Sequence, residues 1–355
     1  MRWPNHPAGR LGLGLLLALA PGAGPTGAAR AQPAGRPEDD LPAHARRLTD
    51  FGERADFSHD GRKILFVEKT FGDAYEVDIA TGRLRLLTAH YPHLGYTRAL
   101  YLANGDILLS GPERFDPKDP GSGRVQCVLS VLDKDLTRPP VPLGTKCSEG
   151  PAVSRTRLHI AWTHVAAQYP EEMPPGSSRI DEADIVYRDG TPELSHRRRI
   201  LNSRDLPFAC TLETRNFRPP DERELTFSAY GHNDTDVCGV DLQTGKITNY
   251  SNAPGQYDEP EGIFPDGLWT CVESDRESPT GRGSGHVDVW KLALDGSGRM
   301  QRLTRFNAHP GFKASNPVVS DDGRGLAFQM ARSRDPAGVG YGLFLYDLAT
   351  AASGR

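Results

Sequence analysis

Short apolar runs separated by clusters of turn-forming residues recur along most of this chain, and their spacing is that of strands. In Ala55-Asp56-Phe57-Ser58-His59-Asp60-Gly61 followed by Ile64-Leu65-Phe66-Val67, an Asp-Gly pair sits between two apolar stretches. The same arrangement returns in Pro317-Val318-Val319-Ser320-Asp321-Asp322-Gly323 followed by Leu326-Ala327-Phe328-Gln329. Asp-Gly in that context is a hairpin signal. Further on in each unit, a third apolar run and a turn lead into a short segment ending in a Leu-Thr-like pair. Examples are Tyr75 to Ile79 before Leu86-Leu87-Thr88, Val237 to Leu242 before Ile247-Thr248-Asn249, and Val287 to Leu294 before Arg302-Leu303-Thr304. Each unit therefore reads as a four-stranded antiparallel meander, and six of them fit the chain.

The last unit is one strand short. Leu343 to Leu348 has no Leu-Thr segment after it, whereas Arg46 to Asp50 carries such a segment with no unit before it. A single four-stranded sheet exposes both faces, but six sheets packed face to face around an axis bury them. The predicted fold class is all-β: a six-bladed β-propeller whose ring is closed by the N-terminal strand. Its predicted span is 44–348, after a linker at 32–43 and before a tail at 349–355.

The Ser-x-Asp-Gly turn followed by an Ala-Phe or Leu-Phe strand, seen at Ser58 to Gly61 and at Ser320 to Gly323 with Ala327-Phe328, resembles the TolB-like β-propeller, a WD-like repeat family. The resemblance implies the propeller fold. It is weak for activity, since such propellers host many functions. The chain enters its first unit without the α/β domain that precedes the TolB propeller. A Gly-x-Ser-x-Gly nucleophile elbow is also missing, so a hydrolase partner domain is not expected.

The N-terminus changes the expected compartment. Arg2 and Arg10 flank the start of an apolar run, Leu11 to Ala20, too short to span a bilayer, and Ala29-Arg30-Ala31 offers a small-x-small cleavage site. Residues 1–31 read as an export signal cleaved after Ala31, which predicts a periplasmic or secreted protein with no membrane span, expected to be a monomer. Beyond residue 31 there are 39 basic against 46 acidic residues. Without a basic stripe, nucleic acid is not an expected partner. In an oxidising compartment disulfides are expected; Cys127 with Cys147 and Cys210 with Cys238 have the shorter separations, sequence does not fix the connectivity, and the odd count leaves at least one thiol free, for which Cys271 is the choice.

The repeat register also exposes candidate chemistry. Five residues before each turn position, at the start of the innermost strand, stand Glu53, Thr97, Glu149, Glu213, Glu259 and Ser315. Next to them lie Arg54, Arg98, Arg215, Glu261, Asn316 and Lys313, and the second strands end near Glu68, His164, His232 and Glu273. Innermost strands line the channel of a propeller, so Glu149, Glu213, Glu259, Glu261, Arg98, Arg215, Lys313, His164 and His232 are expected to form a ring of ligand-binding groups at one mouth. The expected ligand is a partner protein or a saccharide-like molecule. The alternative is a polysaccharide lyase or glycoside hydrolase using two of the glutamates. His90 and His93 in a Pro-containing loop do not make a metal set, and Gly281 to His286 opens no helix, so neither metal nor cofactor is expected.

Overall fold

The computed structural model of the protein describes residues 33, 35–147, 150–335 and 338–353, with side chains through residue 350. The proposed cleavage point after Ala31 lies outside the described residues. Six four-stranded meanders run consecutively along the chain. The first comprises Glu53–Phe57, Lys63–Val67, Ala74–Asp78 and Leu84–Leu86. The last comprises Phe312–Val319, Gly325–Arg332 and Leu343–Asp347, completed by Ala45–Arg47. The closing strand pairs antiparallel as expected, with Ala45 opposite Tyr346, Arg46 opposite Leu345 and Arg47 opposite Phe344. Leu48 N–H donates to the Leu343 carbonyl at 2.7 Å, and Leu343 N–H donates to Thr49 Oγ1 at 3.0 Å.

One feature of the expected fold needs correction. Hydrogen bonding separates four blades as independent four-stranded sheets, not six, because the fourth and fifth share one eight-stranded sheet. Their junction is a short parallel pairing of Asp234 with Gln256 and Thr235 with Tyr257, which joins the third strand of one meander, Asp234–Asp241, to the innermost strand of the next, Gln256–Ile263.

Burial explains the ring. Six hydrophobic clusters fill the six interfaces between consecutive meanders. Leu65 and Val67 of the first pack with Leu109 and Leu132 of the second, Leu108 and Leu129 with Trp162 and Ile185 of the third, and Ala161 and Ile180 with Phe227 and Val240 of the fourth. Val237 meets Trp290 and Leu292, Cys271 and Val289 meet Phe328 and Phe344, and Ala327 and Leu343 return to Ile64 and Phe66. The innermost strand Glu53–Phe57 lies against both Arg98–Tyr101 and Phe312–Val319.

The turn motif works through one serine and one aspartate. Ser58 Oγ donates to Asp60 Oδ1 at 2.7 Å and accepts from Lys63 N–H at 2.9 Å, while Asp60 Oδ1 accepts from Arg62 N–H at 3.0 Å. Ser320 and Asp322 repeat this at 2.6, 2.8 and 3.0 Å with Gly325 and Arg324 N–H. Gly61 and Gly323 follow at φ 68° and 72°, a region that favours glycine.

The expected disulfides are not formed. Cys127 and Cys147 are neighbours, Cys147 N–H donating to the Cys127 carbonyl at 3.0 Å, but both are fully buried. Burial pushes the Cys127 and Cys210 thiols up to about 11 and the Cys147, Cys238 and Cys271 thiols up as well, against the thiolate that exchange chemistry requires. Among the described residues, no helix is long and apolar enough to cross a membrane.

Candidate functional site: a charged diaphragm across the axial channel

Four innermost strands carry a register irregularity at corresponding points, between Glu53 and Asp56, Thr214 and Asn216, Pro260 and Ile263, and Ser315 and Val318. An inserted residue re-aims its side chain. Arg54 and Asn316, at φ 57° and 48°, together with Arg215 and Glu261, consequently line the axial space, where a regular alternation would have put Glu53, Glu213, Glu259 and Ser315 alone.

Arg215 is the hub. Its side chain is 3% exposed. Nε donates to Ser228 Oγ at 2.9 Å, one terminal nitrogen donates to Glu261 Oε1 at 2.9 Å, and the other donates to Tyr230 Oη at 2.6 Å and to Glu259, with Glu213 at 3.3 Å. Tyr230 and Tyr257 hydroxyls both donate to Glu259. Asn316 Nδ2 donates to Glu261 Oε1 at 3.1 Å, and Asn316 N–H donates to Glu273 Oε1 at 2.6 Å. On the first meander, Arg54 donates to the Thr97 carbonyl at 3.0 Å and Thr70 donates to Glu53 Oε1 at 2.8 Å.

This network lies between two cavities. A polar one of about 320 Å³ is lined by Glu53, Tyr230, Tyr257, Glu259, Glu273 and Lys313 with neighbouring groups of the sixth meander. One of about 370 Å³ at the turn end of the same strands is lined by Arg98, Arg215 and Glu261 with apolar walls. Asn316 borders both.

Burial splits the acidities of the glutamates. It works against ionisation of Glu259, yet the Arg215 charge and the two tyrosine hydroxyls outweigh it and hold the pKa below the usual value. Burial raises Glu261 to about 8, the attraction of Arg215 being offset by Glu259 and Glu273. Glu273 rises to about 7, again through burial and then through the charge of Glu259. The folded protein therefore retains protons on Glu261 and Glu273 over a range in which the unfolded chain has lost them, so stability falls as pH rises from about 5 to about 8. The contribution of Glu259 has the opposite sign and lies in more acidic solution, where stability is lost as pH falls through its lowered pKa. Glu273→Gln is expected to flatten the alkaline decline and to be the more stable protein at pH 8.5, by on the order of 3 kcal/mol. Chemical denaturation across that pH range measures it, and equal slopes for both proteins would refute the assignment.

The structure brings together only part of the expected ring. Glu259 and Lys313 line the polar cavity, with Lys313 Nζ donating to the Ser284 carbonyl at 2.8 Å. Arg98, Arg215 and Glu261 line the other cavity. Glu213 borders neither and serves Arg215; Glu149 lies outside the described residues.

Both histidines depart from expectation. His164 is fully buried on the strand His159–Val165 beside Trp162, whose Nε1 donates to it at 2.8 Å, with Asp181 at 3.3 Å and Arg197 at 3.1 Å. Its pKa is lowered by burial. His232 falls in the turn after the strand Glu224–Tyr230 and stacks on Phe208 at 3.9 Å, because the strand ends with Tyr230 at the mouth. Tyr230 and Tyr257 were not anticipated. Glu273 was legible as the cross-strand neighbour of Glu259, which it faces in register. Among the described residues, no group of three or more His, Cys, Asp or Glu is placed to hold a metal ion.

No protein-family model and no curated protein matches the chain. Among solved structures, it is similar to a gluconolactonase from Xanthomonas campestris at 14% identity, over 90% of this chain and 99% of that one, with a TM-score of 0.54. It is also similar to TolB from Acinetobacter baumannii, at 17% identity over 83% of this chain and 66% of that one with a TM-score of 0.47. Oligogalacturonate lyase from Vibrio parahaemolyticus aligns at 13% identity over 83% and 80% with a TM-score of 0.47. At these identities the likeness is one of fold, a β-propeller.

Proposed function

We propose that the protein is an exported β-propeller, with residues 1–31 as its signal and 44–348 as its single domain, that binds a saccharide-like polyhydroxylated ligand in the polar cavity. Two buried oxygens in the cavity wall carry this reading: among the described residues, Glu53 Oε2 and Ser315 Oγ have no hydrogen-bond partner. Buried polar atoms are nearly always bonded, and hydroxyls of a polyhydroxylated ligand would supply the missing partners. The Tyr230 and Tyr257 rings supply amphipathic walls, and Lys313 a further donor. Titration calorimetry of the mature protein against neutral and acidic oligosaccharides tests the reading. A binder is expected, with affinity about tenfold lower in Glu53→Gln or Ser315→Ala, the worth of one good polar contact. A panel that binds nowhere, or a binder that both variants hold undiminished, would overturn it. Binding of a partner protein in place of a sugar would count against the ligand class.

A second reading is favoured by Glu259 and Glu273, which face each other across a strand pair with acidities pushed in opposite directions. Such a pair divides the roles of base and acid, as glycoside cleavage requires. Product release during the same titrations would favour the enzyme; intact sugar at their end favours binding alone.

A further inference from the structure

The second cavity has a different chemistry. Its walls are apolar, with Pro151, Val153, Phe217, Ile263, Pro317 and Val318 drawn from the third to sixth meanders, and its charged groups are almost all committed. At the rim, Arg155 donates to Asp321 at 2.9 Å and to the Phe57 carbonyl at 2.9 Å, with Asp56 at 3.4 Å. Glu222 accepts from Ser154 at 2.8 Å and from Arg157 at 3.2 Å. Arg215 is saturated by the diaphragm.

Arg98 is the exception. Its side chain is 12% exposed, and its buried Nε has no partner among the described residues. Among the described residues its nearest carboxylate oxygen is Glu261 Oε2 at 3.8 Å, too long for a hydrogen bond, and the other oxygen of Glu261 is already taken by Arg215 and Asn316. A guanidinium presents its donors in a planar fork that matches a carboxylate in bidentate fashion, and a buried cation without such a partner is costly. A volume of about 370 Å³ is in the range of small-molecule sites.

We infer that this cavity binds a small carboxylate carried on an apolar body, with the acid group on the Arg98 fork and the body against the proline, valine and phenylalanine walls. The desolvation that lowers the Arg98 pKa would be relieved by the bound anion. The site is separate from the polar cavity, so it stands or falls independently of the saccharide reading.

The test compares 3-phenylpropionate with its isosteric neutral amide, by titration calorimetry on the mature protein at neutral pH. The acid is expected to bind at least tenfold more tightly than the amide, a difference that Arg98→Gln should abolish and Arg98→Lys should reduce. Val318→Trp, which fills the cavity without touching the charge, should abolish binding of both. A tripeptide ending in Phe and its C-terminal amide distinguish a peptide terminus from a free acid: binding of the free acid alone supports the small-molecule site, and tighter binding of the peptide acid would overturn it. Equal binding of acid and amide to the unaltered protein, or no binding of either, would also overturn the proposal, whether or not the Arg98 variants fold.

Discussion

Arg215→Met is expected to destabilise the protein by about 3–5 kcal/mol, the largest loss anticipated for any single charged residue here. The methionine replaces the alkyl stem but removes the cation shared by Glu213, Glu259 and Glu261, leaving the ionised Glu259 buried without its main compensation. It also strands Ser228 Oγ and the acceptor side of Tyr230. Because the cost comes from uncompensated charge rather than from lost volume, adding Glu259→Gln and Glu261→Gln should recover a substantial part of it. Denaturant unfolding followed by tryptophan fluorescence reports all three proteins. A loss under about 1 kcal/mol in Arg215→Met, or no recovery on neutralising the glutamates, would show that the diaphragm is not held by this cation.

A chain that begins at Phe51, and so lacks the closing strand, is expected to lose on the order of 5 kcal/mol and to aggregate near its lowered melting temperature. The removed segment contributes the ladder between Ala45–Arg47 and Phe344–Tyr346, the bonds from Leu48 and Thr49 to Leu343, and the Arg47 donation to the Tyr341 carbonyl at 2.8 Å. Leu41, Ala45 and Leu48 leave the two clusters that flank the sixth meander. What remains is an exposed edge along Leu343–Asp347, a template for another chain. A synthetic peptide covering residues 40–52 should raise the melting temperature of the shortened chain in a concentration-dependent way, as mass action demands. A shortened chain that melts with the full-length protein would mean that the ring does not depend on this closure.

The architecture was legible because it is written in short-range terms. Ser58-His59-Asp60-Gly61 and Ser320-Asp321-Asp322-Gly323 fix their hairpins through bonds within six residues, and the unmatched segments at 46–50 and 343–348 had only each other to pair with. The candidate site was legible in composition and less so in direction. A column counted back from the turns finds Glu53, Glu213 and Glu259, but an extra residue in the inner strands moves Arg54, Arg215, Glu261 and Asn316 to the axis. Nothing in the local pattern announces that insertion, since it answers to neighbouring blades. His164 and His232 failed for a related reason: strand ends were assumed equal, whereas Glu224–Tyr230 stops two residues before His232, and alternation turns His164 toward Asp181 and Arg197. The cysteine pairing was not legible, because separation along the chain does not fix which sulfurs meet in space.

The parallel junction of Asp234 and Thr235 with Gln256 and Tyr257 bears on how the molecule opens. Two wedges stitched through their backbones move together. Since Tyr230 and Tyr257 reach Glu259 from either side of that stitch, half of the polar chamber is cast in a single piece. The facing wall is tethered in its turn, since Thr70 N–H donates to the Gly338 carbonyl at 3.0 Å and Asn316 N–H to Glu273, so the chamber keeps its outline from both sides.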